Sequence, residues 1–247
     1  LDDPDGADDG DDGSSGRWHH GEVHPRNRLN ALRGNEWLYF TKSVLRTSYP
    51  AHVAQDLRRR HGANKPPYLM RHLLEFMTRP GGTVLDPFCG VGGTLLGASL
   101  CGRTATGIEI NPEWIDVYRE VCTREGQAEQ ELVLGDCRAV LAGFAGSGRL
   151  FDCIATDPPY SIAVDKTLCD GRYDLQARRT DFDSFGDSGD DLRNLATFDQ
   201  YYAAMEDVAR LLLPVLRPRG YCAVIMRDSY QAGRYEFAPA EVARRFE

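Results

Sequence analysis

The order of apolar runs in this 247-residue chain predicts an α/β fold built on a doubly wound, mostly parallel sheet. Beyond residue 80, five runs of strand length alternate with stretches of helical period, the pattern of strands joined by crossover helices. The first run leads into a glycine-rich turn that opens a helix. Later runs end in acids, at the strand ends where open sheets of this kind bind ligands.

Taken in order, "TVLDPF" (83–88) reads as the first strand and 94–100 as a helix, followed by "ATGIEI" (105–110) as the second strand. Residues 113–123 form the next helix, with Asn111 as its N-cap and Pro112 at its first position. "LVLGD" (132–136) is the third strand, 138–144 a helix, and "FDCIATD" (151–157) the fourth strand. Residues 161–197 interrupt the alternation with eight acids and five bases. Tyr201, Met205, Val208, Leu212 and Val215 then recur at helical spacing, "RPRG" is expected to turn, and "YCAVIM" is the fifth strand.

Ahead of the sheet, "KPPYLMRHLLEFMT" predicts a helix with prolines in its first turn and Leu69, Leu73 and Phe76 on one face. Residues 1–16 are almost wholly Asp, Gly, Ser and Pro, a composition expected to stay disordered. The chain thus divides into an acidic tail (1–16), a basic segment (17–64) and a main domain (65–247) with an insertion at 161–197.

The net charge of −8 conceals an uneven distribution. Seven aspartates lie within residues 1–12, and residues 17–65 carry ten Lys or Arg against three acids. An overall acidic chain therefore holds a basic stretch, which points to a nucleic-acid partner. Arg58, Arg59 and Arg60 are its densest part and the leading candidates for gripping phosphate.

Seven cysteines without a C-x-x-C pair read as free thiols, most of them in apolar elements, and no metal site is expected. His19, His20 and His24 read as surface histidines. No apolar run approaches the roughly 18 residues of a membrane span, and a cytoplasmic protein is expected. The last helical pattern, "AEVARRFE", is cut short, so further strands of the sheet are expected beyond residue 247.

In "DPFCGVGGT" (86–94), Gly90, Gly92 and Gly93 allow a sharp turn and a close approach of backbone to ligand. Counted from Gly90, the third position of a dinucleotide fingerprint is Leu95, which weakens that reading. Glu109, 19 residues beyond Gly90, is placed to accept hydrogen bonds from a ribose diol. Asp136 either caps the following helix or accepts from the amino group of an adenine ring. Together these strand ends outline a pocket for an adenosine compound. The fourth strand adds Asp157, Pro158, Pro159 and Tyr160, a stiff extended exit holding a carboxylate and a ring.

"DPFCGVGGT", "GIEINPEW", "LGDCRAVL" and "DPPY", in that order, resemble the S-adenosylmethionine-dependent amino-methyltransferases that modify adenine N6 or cytosine N4 in DNA. The motif order is similar to the gamma-type arrangement. The resemblance implies a Rossmann-like class I methyltransferase fold, with Asp86, Pro87, Phe88, Gly90, Gly92, Glu109 and Asp136 around the cosubstrate. By the same resemblance, Pro66, Pro67 and Tyr68 help hold its methionine part. "NRLNALRGNEWLYFTKSV" looks like the lead-in of one bacterial and archaeal subgroup.

The resemblance further implies that Asp157 and the Pro158 carbonyl receive a target amino group while Tyr160 stacks on the extruded base. Asp in the first position of the motif favours adenine N6. RNA or tRNA guanine-N2 methyltransferases share the "DPF" and "DPPY" elements and are the nearest alternative. A catalytically silent nucleic-acid-binding scaffold is the other.

Overall fold

The computed structural model describes residues 21–44, 49, 53–62, 64–159, 191–192, 195, 197–231 and 234–247. The acidic tail, His19, His20, Tyr160 and nearly all of the 161–197 insertion lie outside the described residues, and so do the expectations attached to them. Strands β1 (Thr83–Asp86), β2 (Thr104–Glu109), β3 (Glu131–Leu134), β4 (Phe151–Thr156) and β5 (Leu216–Val224) form a parallel sheet in the order β3-β2-β1-β4-β5. The chain runs outward from β1 to β3 and then returns to the other side of β1 for β4. A crevice therefore opens between the carboxyl ends of β1 and β4, where the winding reverses.

Helices cover both faces of the sheet, as parallel strands require. On one side lie α3 (Pro67–Met77), α4 (Gly93–Ser99) and α5 (Pro112–Glu125), packed through Met70, Leu74, Leu95, Leu96, Trp114 and Val121. On the other lie α6 (Cys137–Gly146), α7 (Phe198–Leu212) and α8 (Ala238–Phe246), packed through Leu141, Tyr201, Met205, Val208 and Val242. Alternation along the strands supplies both layers. Val84 and Cys153 face the first, whereas their neighbours Leu85 and Ile154 face the second.

Asn111 caps α5 as expected, its side chain accepting from the Glu113 N–H at 2.9 Å. Two local expectations change. The buried stripe of α3 is Pro67, Met70 and Leu74, while Phe76 turns sideways to stack on Phe40 of α1 (Gly34–Phe40) at 5.2 Å between ring centres. "RPRG" is not a free turn: it is an irregularity inside β5, where Phe151 pairs with Leu216 and Cys153 already pairs with Tyr221. Pro218 cannot donate to the ladder and Arg219 has a φ of 66°, so the extra residues loop out of an edge strand.

The lead-in "NRLN" has a structural role that no periodicity signals. Asn30 is fully buried and donates to the Phe76 carbonyl at 2.6 Å, while Asn27 accepts from the backbone of Leu29 and Asn30. Arg79 returns the contact by donating to the Arg28 carbonyl at 3.1 Å. These bonds staple the segment to the end of α3.

The arginine run of α2 (Gln55–Arg58) and the 3-10 turn Arg59–His61 divides in two. Arg59 and Arg60 are exposed, the latter paired with Glu113 at 3.0 Å. Arg58 is fully buried, which corrects its assignment to a phosphate-binding surface. Its guanidinium donates to the Lys65 carbonyl, and its own carbonyl accepts from Asn64 at 2.9 Å. Burial pulls its pKa down to about 10, so it remains charged at neutral pH. Between β5 and α8, β6 (Ser229–Gln231) and β7 (Arg234–Glu236) pair antiparallel, apart from the main sheet.

Candidate active site

The last ladder contact of β4 is made by the Thr156 carbonyl, which accepts from Ile225 at 2.8 Å. Pro158 and Pro159 cannot extend the strand, so the chain leaves it at Asp157, at the rim of the crevice. The Asp157 side chain is 16% exposed. One oxygen, Oδ2, accepts from the Lys65 ammonium, which arrives from the residues just before α3. The other, Oδ1, is buried without a hydrogen-bond partner. A buried carboxylate oxygen left open is costly, and it marks a place where a donor belongs.

Burial raises the Asp157 carboxyl to about 6, against the pull of Lys65 and, more weakly, of Arg227; the charge of Asp86 adds to the rise. Asp86 itself is buried at the end of β1. It accepts from Thr94 of α4, from Thr156 at 2.7 Å and from the Phe88 N–H at 3.1 Å. Its carboxylate thus ties the end of β1 to the end of β4, to the glycine loop that follows β1 and to α4. Burial raises its pKa, and the hydroxyl and N–H donors oppose that rise.

The glycine loop runs from Pro87 to Gly92 and opens α4. Gly90 (φ 50°) and Gly92 (φ 74°) adopt conformations that side chains resist, and a Cβ on Gly92 would lie 2.1 Å from the Tyr118 ring. Glu109, at the end of β2, accepts from the Gly90 N–H at 2.8 Å and the Asn111 N–H at 2.9 Å. The loop and the acid expected to meet a ribose are therefore bonded directly to each other.

Asp136 caps α6 by accepting from the Arg138 N–H at 2.9 Å and also holds the Arg138 guanidinium. Burial would raise its carboxyl, but the Arg138 bonds and charge bring it below the usual carboxylate range. The capping role is thus realised, and the carboxylate stays ionised at the end of β3. Pro66, Pro67 and Tyr68 begin α3 beside Lys65, and a Cβ on Gly93 would come within 2.8 Å of the Lys65 carbonyl. Close packing of this turn on the start of α4 brings the residues before α3 to the same rim.

Lys65 is the participant that the sequence reading missed. It stands at the head of the quoted "KPPYLM" stretch, but its partner lies 92 residues away. Thiols near the crevice are poor nucleophiles. Cys89 is buried and pushed well above its ordinary pKa by burial and by the charges of Glu109 and Asp86, and burial pushes Cys153 up to about 12. No group of three metal-binding side chains occurs among the described residues.

Residues 16–120 match the sequence model of the DNA methylases. Over 113 residues the chain is 34% identical to the tRNA (guanine(10)-N2)-dimethyltransferase of Pyrococcus abyssi, which covers 46% of this chain and 33% of that protein. It is 32% identical over 68 residues to the type II methyltransferase M2.DpnII of Streptococcus pneumoniae, covering 28% of this chain and 25% of the relative. The matched relatives are methyltransferases.

The chain spans about a third of the length of the curated relatives it matches, or less. Among solved structures, TrmN from Thermus thermophilus is similar at 20% identity and a TM-score of 0.49, over 76% of this chain and 52% of that one. The DNA methylase match spans β1, the glycine loop and Glu109, and ends before Asp157. No helix among the described residues is long and apolar enough to cross a membrane.

Proposed function

We propose that this chain transfers a methyl group from S-adenosylmethionine to the exocyclic amino group of a base in DNA, with adenine N6 as the target. The observation that carries the reading is Asp157: a buried carboxylate at the switch point of the sheet, with one oxygen held and the other open. The residues suit the cosubstrate. Glu109, at the end of β2, holds the Gly90–Gly92 turn through the Gly90 N–H, which brings acid and turn together at the strand ends where ligands of such sheets bind.

An aromatic amino nitrogen is a weak nucleophile because its lone pair is shared with the ring. Asp157 Oδ1 accepting one N–H, and the Pro158 carbonyl accepting the other, would localise that lone pair and fix its direction. The bound cosubstrate supplies an electrophilic methyl on a positively charged sulfur and departs as a neutral thioether. Once the nitrogen has formed its new bond to carbon it must lose one proton, and Asp157 is placed to receive it or pass it to water. No enzyme nucleophile is needed, in keeping with the protonated thiols. A base in a duplex must be flipped to reach this rim, and Tyr160 is assigned the stacking role.

DNA is favoured by the match to the DNA methylases over residues 16–120. Guanine N2 in tRNA is the second reading, favoured by the 34% identity to the Pyrococcus enzyme, and it uses the same carboxylate for the same kind of nitrogen. A silent scaffold accounts poorly for an open buried carboxylate oxygen. Incubation with methyl-labelled S-adenosylmethionine and either duplex DNA or tRNA separates the three. Label in DNA is expected. Label in tRNA alone would establish the second reading, and label in neither would favour the scaffold.

A further inference from the structure

Lys65–Asp157 is the ion pair among the described residues in which neither side chain is more than 20% exposed. Everything around Lys65 fixes its backbone. The buried Arg58 guanidinium donates to the Lys65 carbonyl, Asn64 donates to the Arg58 carbonyl, and Gly93 lacks the Cβ that would press on the Lys65 carbonyl oxygen. Pro66 and Pro67 follow immediately, so the residue is clamped on both sides. The ammonium reaches Asp157 Oδ2, while Oδ1 stays open.

We propose that Lys65 is a positioning residue for Asp157: it occupies one carboxylate oxygen, keeps the buried group ionised, and so presents the other oxygen to the target amino group. This rests on the reading that Asp157 receives that amino group. The chemistry demands both effects. A protonated carboxyl is a weaker acceptor and cannot take up the departing proton, and a carboxylate free to rotate would not hold its acceptor direction on the target nitrogen. The charged groups acting on Asp157 are Lys65 from the segment before α3, Asp86 from the end of β1 and Arg227 from beyond β5. Of these, Lys65 makes the direct hydrogen bond. Arg58 acts one step further back, by holding the carbonyl of Lys65 rather than by touching nucleic acid.

The test is a carboxyl-13C aspartate titration by NMR, with Asp157 assigned from its absence in Asp157→Asn, on the native chain and on Lys65→Met and Lys65→Arg. Thermal melting verifies folding, and Lys65→Gln replaces the Met variant should that one not fold. Removing the charge is expected to move the Asp157 midpoint upward by about one unit or more, the scale of a nearby opposite charge, while Arg restores most of the native value. Methyl transfer by the charge-removing variant should fall at neutral pH through kcat and recover as the pH is raised. An unmoved midpoint in a folded charge-removing variant overturns the proposal while leaving the amino-group reading intact. A midpoint that moves in the charge-removing variant, when the native chain methylates no amino group, overturns the reading and, with it, the acceptor role given to Oδ1.

Discussion

Asp157 can take up the proton that the amino group releases, and accept its N–H most strongly, only when ionised, and burial has raised its carboxyl to about 6. Methyl transfer is therefore expected above that pH and should be lost as pH falls through about 6, an acid limb read directly from a pH–rate profile. A limb nearer 4, where free carboxylates titrate, would show that the rate does not depend on this group. The same shift has a sign for stability. Because the folded carboxyl binds its proton more tightly than the unfolded one, this group lowers stability as pH rises from about 4 to about 6, and its cost is constant above. Asp157 and Glu109 could be read from the sequence because each follows an apolar run within a few residues. Lys65 could not, since only the packing of α3 on α4 brings it to Asp157.

The elements were legible to the extent that their signals are local. Asn111-Pro112 marked the start of α5, and Asp136 marked that of α6. The buried stripe of α3 was displaced because its flank packs on Trp37 and Phe40, a contact set by the segment ahead of it. "RPRG" was misread because the residues that interrupt a strand are those that end one, and only pairing with β4 separates the two cases. Glycines differ in the same context-dependent way. A Cβ at Gly97 of α4 would lie 2.7 Å from Met70 Cβ and 2.8 Å from the Arg71 nitrogen, whereas one at Gly143 of α6 would meet nothing within 4 Å. Gly97→Val should cost roughly 1–3 kcal/mol by overpacking, and Gly143→Ala should gain roughly 0.5–1 kcal/mol as an ordinary helix position. A thermal melt in which Gly97→Val is as stable as the native chain would contradict the close approach of α3 and α4.

Across the whole molecule, the acidic balance and the basic amino-terminal stretch have to be reconciled with a polyanionic substrate. Burial of Arg58 removes one of the three candidate phosphate contacts and leaves Arg59 and Arg60 at the surface. Replacing both with Ala should flatten the dependence of log affinity on log salt by about 2 for duplex DNA, at roughly 0.9 per lost contact. Arg58→Met should leave that slope unchanged and instead lower the melting temperature, because it strips a donor from the Lys65 carbonyl. An unchanged slope in the Arg59/Arg60 variant would move the phosphate grip to another face.

The most direct test of the central claim is the identity of the methylated nucleoside and its dependence on Asp157. Labelled nucleic acid from the native chain, Asp157→Asn and Glu109→Ala would be digested to nucleosides and separated, with cosubstrate binding measured in parallel by calorimetry. The account predicts label in N6-methyldeoxyadenosine for the native chain. It predicts none for Asp157→Asn despite retained cosubstrate binding, and binding weakened by roughly 1–3 kcal/mol for Glu109→Ala. Label on a ring carbon or ribose, or undiminished transfer by Asp157→Asn, would contradict it.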